Sequence, residues 1–124
     1  MEKLKPLTQQ QGQQAEQIAC DFLQAQGLTL VCRNFNCKVG EIDLIMQQQD
    51  MLVFVEVRYR RHQNFGSASA SVTSAKQRKI IRAAQYFLMI RPQYAQFGAR
   101  FDVIAIDKQI SAPIEWIRAA FLTH

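Results

Sequence analysis

Two acids on neighbouring strands are the residues best placed to do chemistry. Residues 40–60, GEIDLIMQQQDMLVFVEVRYR, alternate apolar and polar positions on both sides of Gln49-Asp50. That pattern predicts two strands joined by a two-residue turn. Side chains change faces at each residue, so Glu41 and Asp43 share one face of their strand and Glu56 and Arg58 share one face of the next. A turn on Gln49-Asp50 sets Asp43 directly across from Glu56, with Cβ atoms roughly 4.5–5.5 Å apart. Two like charges at that separation, in strands apolar enough for a core, require neutralisation. A divalent metal or the nearby Arg58 can supply it. Phosphodiester hydrolysis is the reaction this set suits. It needs an activated water, neutralised phosphate charge and a stabilised leaving oxygen, all of which carboxylate-bound divalent cations provide. Mg²⁺, or Mn²⁺ in its place, fits oxygen ligands and completes its shell with water and phosphate. The Val57 backbone carbonyl is a candidate further ligand.

The flanking elements must position these groups. Ala15, Ile18, Ala19, Phe22 and Leu23 recur at helical spacing and predict a helix over about 9–26, stopped by Gly27. Glu16 lies at the border of that stripe, either as a site acid or as a solvated helix-edge carboxylate. Residues 28–35 read as a strand, with 34–39 turning into the next, and a third strand runs over about 52–60, giving an antiparallel meander. The stretch 62–74, small and polar, reads as a surface loop. A second helix is predicted over about 74–90, capped by Thr73 or Ser74. It buries Ile80, Ala83, Ala84, Phe87 and Leu88 and turns Arg78, Arg82 and Gln85 outward. Lys76 in its first turn opposes the helix dipole and calls for an anion: Glu56, Asp43 or a phosphate. A surface lysine laid along the core is the plainer alternative. Residues 100–106 form an apolar fourth strand, where Asp102 is either a peripheral site residue or, the favoured reading, paired with a nearby arginine. The tail IEWIRAAF closes the core as a short helix or an edge strand.

Composition bounds the function. The 124 residues are 48% hydrophobic and 20% charged, enough for one domain at 9–124 behind a flexible arm at 1–8. No run of about 18 apolar residues appears, and the N-terminus lacks the apolar run of a secretory signal. Cys20, Cys32 and Cys37 have no CxxC spacing. Reduced thiols and a cytoplasmic setting are the expectation. The net charge of +5 hides an asymmetry: residues 57–101 hold nine basic residues and no acid, while the rest holds six basic and ten acidic. Such a segment suggests a polyanionic partner, nucleic acid first.

GEIDLI, LVFVEVRYR, FG ahead of Lys76, RFDV and a closing AAF together resemble the YraN-like family over about residues 9–122. That family is similar to archaeal Holliday-junction resolvases and is grouped with the PD-(D/E)xK endonucleases. The resemblance implies an α/β, restriction-endonuclease-like fold: a helix, a three-strand antiparallel meander, a second helix, a further strand in a mixed central sheet and a short C-terminal element. It implies that Asp43 and Glu56 are the metal-binding acids, that Glu16 matches the first-helix acid and Glu41 the acid before the motif aspartate, and that Arg58 stands where the motif has lysine. Arginine does not deprotonate in a protein, so Arg58 would grip phosphate and stabilise charge without serving as a base.

The leading expectation is therefore a Mg²⁺-dependent endonuclease for branched or structured DNA. Glu16, Asp43, Glu56 and Arg58 would be catalytic, with Arg58, Arg60, Arg61, Lys76, Arg78, Lys79 and Arg82 on the DNA backbone. Phosphate contacts carry no sequence information, so recognition would be of shape. A symmetric branch would favour a homodimer. The alternatives are a non-catalytic nucleic-acid-binding module with a relict site, and an interaction subunit whose basic face meets an acidic partner or a membrane surface.

Overall fold

The structure, a computed structural model, describes residues 9–60, 72–107 and 113–122. The expected arm at 1–8, residues 62–71 of the expected loop, and Arg61 lie outside these. Helix α1 (Gln9–Ala25) leads into strands β1 (Thr29–Cys37), β2 (Gly40–Gln48) and β3 (Met51–Arg60). Helix α2 (Ser74–Ile90), a 3-10 turn (Pro92–Tyr94), β4 (Gly98–Asp107) and β5 (Glu115–Phe121) follow. The five strands form one sheet in sequential order. β1 to β3 make the antiparallel meander, β4 runs parallel to β3 after the α2 crossover, and β5 is an antiparallel edge.

A helix covers each face. Ala15, Ala19, Cys20 and Leu23 of α1 pack with Leu44, Met46, Val53, Val55 and Ile104. Ile80, Ile81, Ala83, Ala84 and Phe87 of α2 pack with Ile45, Leu52, Phe54, Phe101 and Val103. Cover on both faces explains why residues 101–107 of β4 are all buried and read as an unbroken apolar run around two aspartates. The tail is an edge strand, and Phe121 stacks on Phe101 at 5.1 Å.

Several local readings need correction. Ile18 is 44% exposed, because the buried α1 stripe follows Ala15, Ala19 and Leu23 and leaves Ile18 beside it. β1 continues through Cys37, so the turn is confined to Lys38-Val39. Val72, within the stretch read as surface loop, is buried beneath α2. Gly40 answers to close packing: a Cβ there would lie 3.0 Å from the Lys79 carbonyl oxygen, so glycine lets the β1–β2 turn rest against α2.

Candidate functional site

The β2–β3 hairpin has the register the turn required. Leu44 pairs with Val55 and Gln48 with Met51, and Gln49 in the turn has a φ of 53°. That register carried one step further sets Asp43 against Glu56. The backbone ladder ends at Leu44–Val55. Beyond it the Val57 N–H donates to Asp43 Oδ2 at 2.8 Å, where a backbone carbonyl would otherwise accept. The strands part here, and the Val57 N–H, not its carbonyl, is the group brought to Asp43.

β2 also changes faces at this residue. Ile42 packs under α2 and Leu44 under α1, although strict alternation would put both on one side. Across the sheet, Asn34 of β1 lies between the pairs Arg33–Leu44 and Phe35–Ile42 and has a φ of 50°. Asparagine tolerates this left-handed backbone better than most residues. The irregularity lets Asp43 meet acids from both faces of the sheet: Glu16 of α1, and Glu56 of β3 on the α2 side.

Asp43 is 8% exposed and Glu56 6%. Glu56 has cations within reach, with Lys76 Nζ at 3.1 Å and Arg58 Nη1 at 3.7 Å from Oε1. Lys76 thus finds its anion in Glu56, while its own N–H is capped by Thr73 Oγ1 at 3.2 Å. Asp43 has carboxylates for neighbours. Burial first, then the charge of Glu56, with Glu16 and Glu41 adding, push its carboxyl from 3.8 up to about 8; the Val57 N–H opposes this. Burial also raises Glu16, held back by hydrogen bonds with Asn34 and Asp43 and by the charge of Arg33. The Asp43 carboxyl is therefore held toward its neutral form, in which it donates to Glu16.

The expected site residues thus separate into groups. Glu16, Asp43, Glu56, Arg58 and Lys76 converge, and exposed Glu41 acts on the two raised acids through its charge. Arg78, Lys79 and Arg82 are exposed along α2. Arg60 ends β3, and its side chain is outside the described set. Arg100, counted in the basic segment, is no part of a basic face: its Nε donates to Asp102 Oδ1 at 3.1 Å in the core. Asn34 was not foreseen. Its signal was an asparagine within an otherwise strand-forming run, a residue depleted from strands unless its backbone is special.

Among the described residues no three His, Cys, Asp or Glu side chains form a group able to hold a metal by themselves. Mg²⁺ is commonly held by one or two carboxylates, with water and phosphate completing the shell. Asp43 and Glu56 satisfy that smaller requirement, and the crowding of carboxylates around Asp43 is what a cation would relieve.

Fold and site define an α/β protein with one mixed sheet between two helices and a carboxylate cluster where two antiparallel strands part. Residues 15–106 match the model of the uncharacterised protein family UPF0102. The chain is 57% identical over 110 residues to the UPF0102 protein of Saccharophagus degradans, covering 89% of this chain and 91% of that one. It is 49% identical over 120 residues to the UPF0102 protein of Nitrosococcus oceani, covering 95% and 97%. The UPF0102 protein of Legionella pneumophila is 46% identical over 115 residues, covering 93% and 97%. The chain belongs to the UPF0102 family, the YraN family its motifs resemble. No helix among the described residues is long and apolar enough to cross a membrane.

Proposed function

We propose that this protein is a divalent-cation-dependent nuclease that hydrolyses phosphodiester bonds in branched or otherwise structured DNA. The observation that carries the reading is the buried pair Asp43 and Glu56, drawn from two strands that part around it, with Asp43 crowded by other carboxylates and Glu56 bordered by Lys76 and Arg58. Asp43 and Glu56 would hold Mg²⁺ or Mn²⁺. The bound ion would lower the pKa of a water and offset phosphate charge. Glu16, hydrogen-bonded to Asp43, would be the nearest acceptor for a proton released from Asp43 on cation binding. Arg58 grips a phosphate oxygen but cannot serve as a base. The Lys76 ammonium, 3.1 Å from Glu56, would hold a phosphate oxygen or the attacking water as a compact three-donor charge, which a planar guanidinium fork does not reproduce. Arg78, Lys79 and Arg82 extend positive charge along α2 for the DNA backbone.

Purified protein should be incubated with four-way, flapped and blunt duplex DNA in millimolar Mg²⁺ or Mn²⁺. Wild type is expected to cut a branched substrate. Asp43→Asn and Glu56→Gln should each lower the rate about a hundredfold or more, while binding measured in chelator stays within about twofold. Binding without cutting would replace this reading with that of a non-catalytic nucleic-acid-binding module. Absence of binding at low salt would favour an interaction subunit.

A further inference from the structure

A second feature lies on α2 beyond the carboxylate cluster. The β1–β2 turn and α2 enclose a surface pocket of about 250 Å³, lined by Asn36, Cys37, Lys38, Val39 and Tyr86 and mainly apolar. Tyr86 is 42% exposed and Val39 41%. The Tyr86 ring is not loose. Phe35 braces it at 6.2 Å between centroids and 32° between planes, and Phe35 is itself held edge-on by Phe87 at 5.2 Å. An apolar cavity of about 150 Å³ takes up benzene, so this space admits a flat heteroaromatic ring.

Among the residues that line the pocket the one charge is positive. Lys38 lines it, and none of its lining residues is acidic. Lys79, Arg82 and Tyr86, three and four residues apart, share one face of α2, all exposed. Lys76, at the carboxylate cluster, lies ten residues before Tyr86, about 15 Å along the helix. A strand leaving the cluster along α2 therefore passes two cations and arrives at a braced aromatic ring beside an apolar pocket. Alternation of phosphate-holding cations with an aromatic platform is how single-stranded nucleic acid is held without regard to sequence. Only an unpaired base has a free face to offer, because a base in a duplex is already stacked on both sides.

We propose that Tyr86 and the Lys38-Val39 turn receive one unpaired base of a DNA strand, with Lys38, Lys79 and Arg82 on its flanking phosphates. The platform rests on the nucleic-acid reading above and adds to it the feature recognised: the unpaired segment at a flap, end or branch. In chelator, where no strand is cut, affinity should be measured by fluorescence anisotropy for three probes: a blunt duplex, the same duplex with a short unpaired tail, and that duplex with an abasic tail. The abasic tail keeps the phosphates and lacks the bases. Wild type is expected to prefer the normal tail to the abasic tail by about tenfold. Tyr86→Ala should lose that preference while keeping its affinity for blunt duplex, and Tyr86→Trp should retain it. Equal wild-type affinity for the two tails, or a preference that survives in Tyr86→Ala, overturns the platform and leaves the nuclease reading standing. Failure to bind any probe at low salt removes both. A DNA-free dimer that dissociates in Tyr86→Ala, seen by sedimentation, would assign the patch to a second copy and overturn the proposal.

Discussion

Two buried aspartates sit two strands apart in one sheet, and the fold treats them in opposite ways. Each interrupts a ladder and captures a backbone N–H beside a residue with positive φ. Asp43 takes the Val57 N–H across from Asn34, and Asp102 takes the Ala119 N–H at 2.9 Å, where Ala119 has a φ of 49°. From there they diverge. Asp102 is fully buried and also accepts from Arg100 Nε and from Trp116 Nε1, the latter at 2.9 Å. Its charge is matched and its lone pairs are used. Asp43 has Glu56, Glu16 and Glu41 around it instead, and its carboxyl is forced toward the neutral form. A buried acid completed by internal partners is part of the framework. One left among other acids at a gap between strands is a functional candidate, because perturbed carboxylates gather where chemistry is done.

The sharpest break of this comparison is in stability. Asp102→Ala should cost about 3 kcal/mol, because it leaves the half-buried Arg100 without its carboxylate and the Trp116 and Ala119 N–H groups without their acceptor. Arg100 Nη2 is already a buried donor with no acceptor, and the bond from Nη1 to Gln48 Oε1 at 3.1 Å is the side-chain partner that would remain. Asp43→Asn keeps an acceptor for the Val57 N–H and a donor toward Glu16, and it removes the proton uptake that folding requires at pH 7, so it should be neutral or stabilising. Urea denaturation at pH 7 measures both. Equal losses in the two variants would mean that Asp43 is as much a framework residue as Asp102.

Much of this contrast was legible in the sequence, and the rest was not for physical reasons. The hairpin register follows from apolar alternation around Gln49-Asp50, so the Asp43–Glu56 proximity was readable in advance. The cost of a cation in a first helical turn called for an anion near Lys76 but left Glu56, Asp43 and a phosphate open, and the structure selects Glu56. Arg100 and Asp102 are two apart, hence on one face of a strand, which made their pairing readable too. Trp116 and Ala119, which complete Asp102, lie on a segment whose strand or helix character depended on a sheet edge being available. The face switch at Asp43 depends on the distortion at Asn34, on another strand, so alternation within β2 alone could not show it. The buried position of Val72 likewise arises from α2 settling over the sheet.

A smaller effect concerns pH. Asp43 titrates at about 8 in the native state against 3.8 ordinarily. Between these values the native protein holds a proton that the unfolded chain has released. Stability should therefore fall as pH rises from about 4 to 8, at no more than about 1.4 kcal/mol per unit for one proton. Asp43→Asn should flatten that slope. Mg²⁺ or Ca²⁺ should recover stability near pH 8 by binding the ionised form, in wild type and not in the variant. Thermal unfolding from pH 5 to 8.5, with and without the cation, gives both results. A slope unchanged in Asp43→Asn would assign the proton to another group.

The smallest expected effect compares the cations themselves. Arg100 is 20% exposed beside Asp102, whereas Lys76 is 43% exposed beside Glu56. Solvent screens the second pair, and Arg58 at 3.7 Å partly replaces the lost charge. Lys76→Ala should therefore cost only about 0.5–1 kcal/mol in urea denaturation. Lys76→Arg should restore that stability, since a guanidinium can still meet Glu56. The two variants then separate structure from chemistry. If Lys76 only neutralises Glu56, cleavage should return with arginine as stability does. If its compact ammonium positions the water or a phosphate oxygen, Lys76→Arg should be stable and remain slow, because a guanidinium presents a fixed planar fork. Recovery of both in Lys76→Arg would reduce Lys76 to the kind of partner that Arg100 is for Asp102.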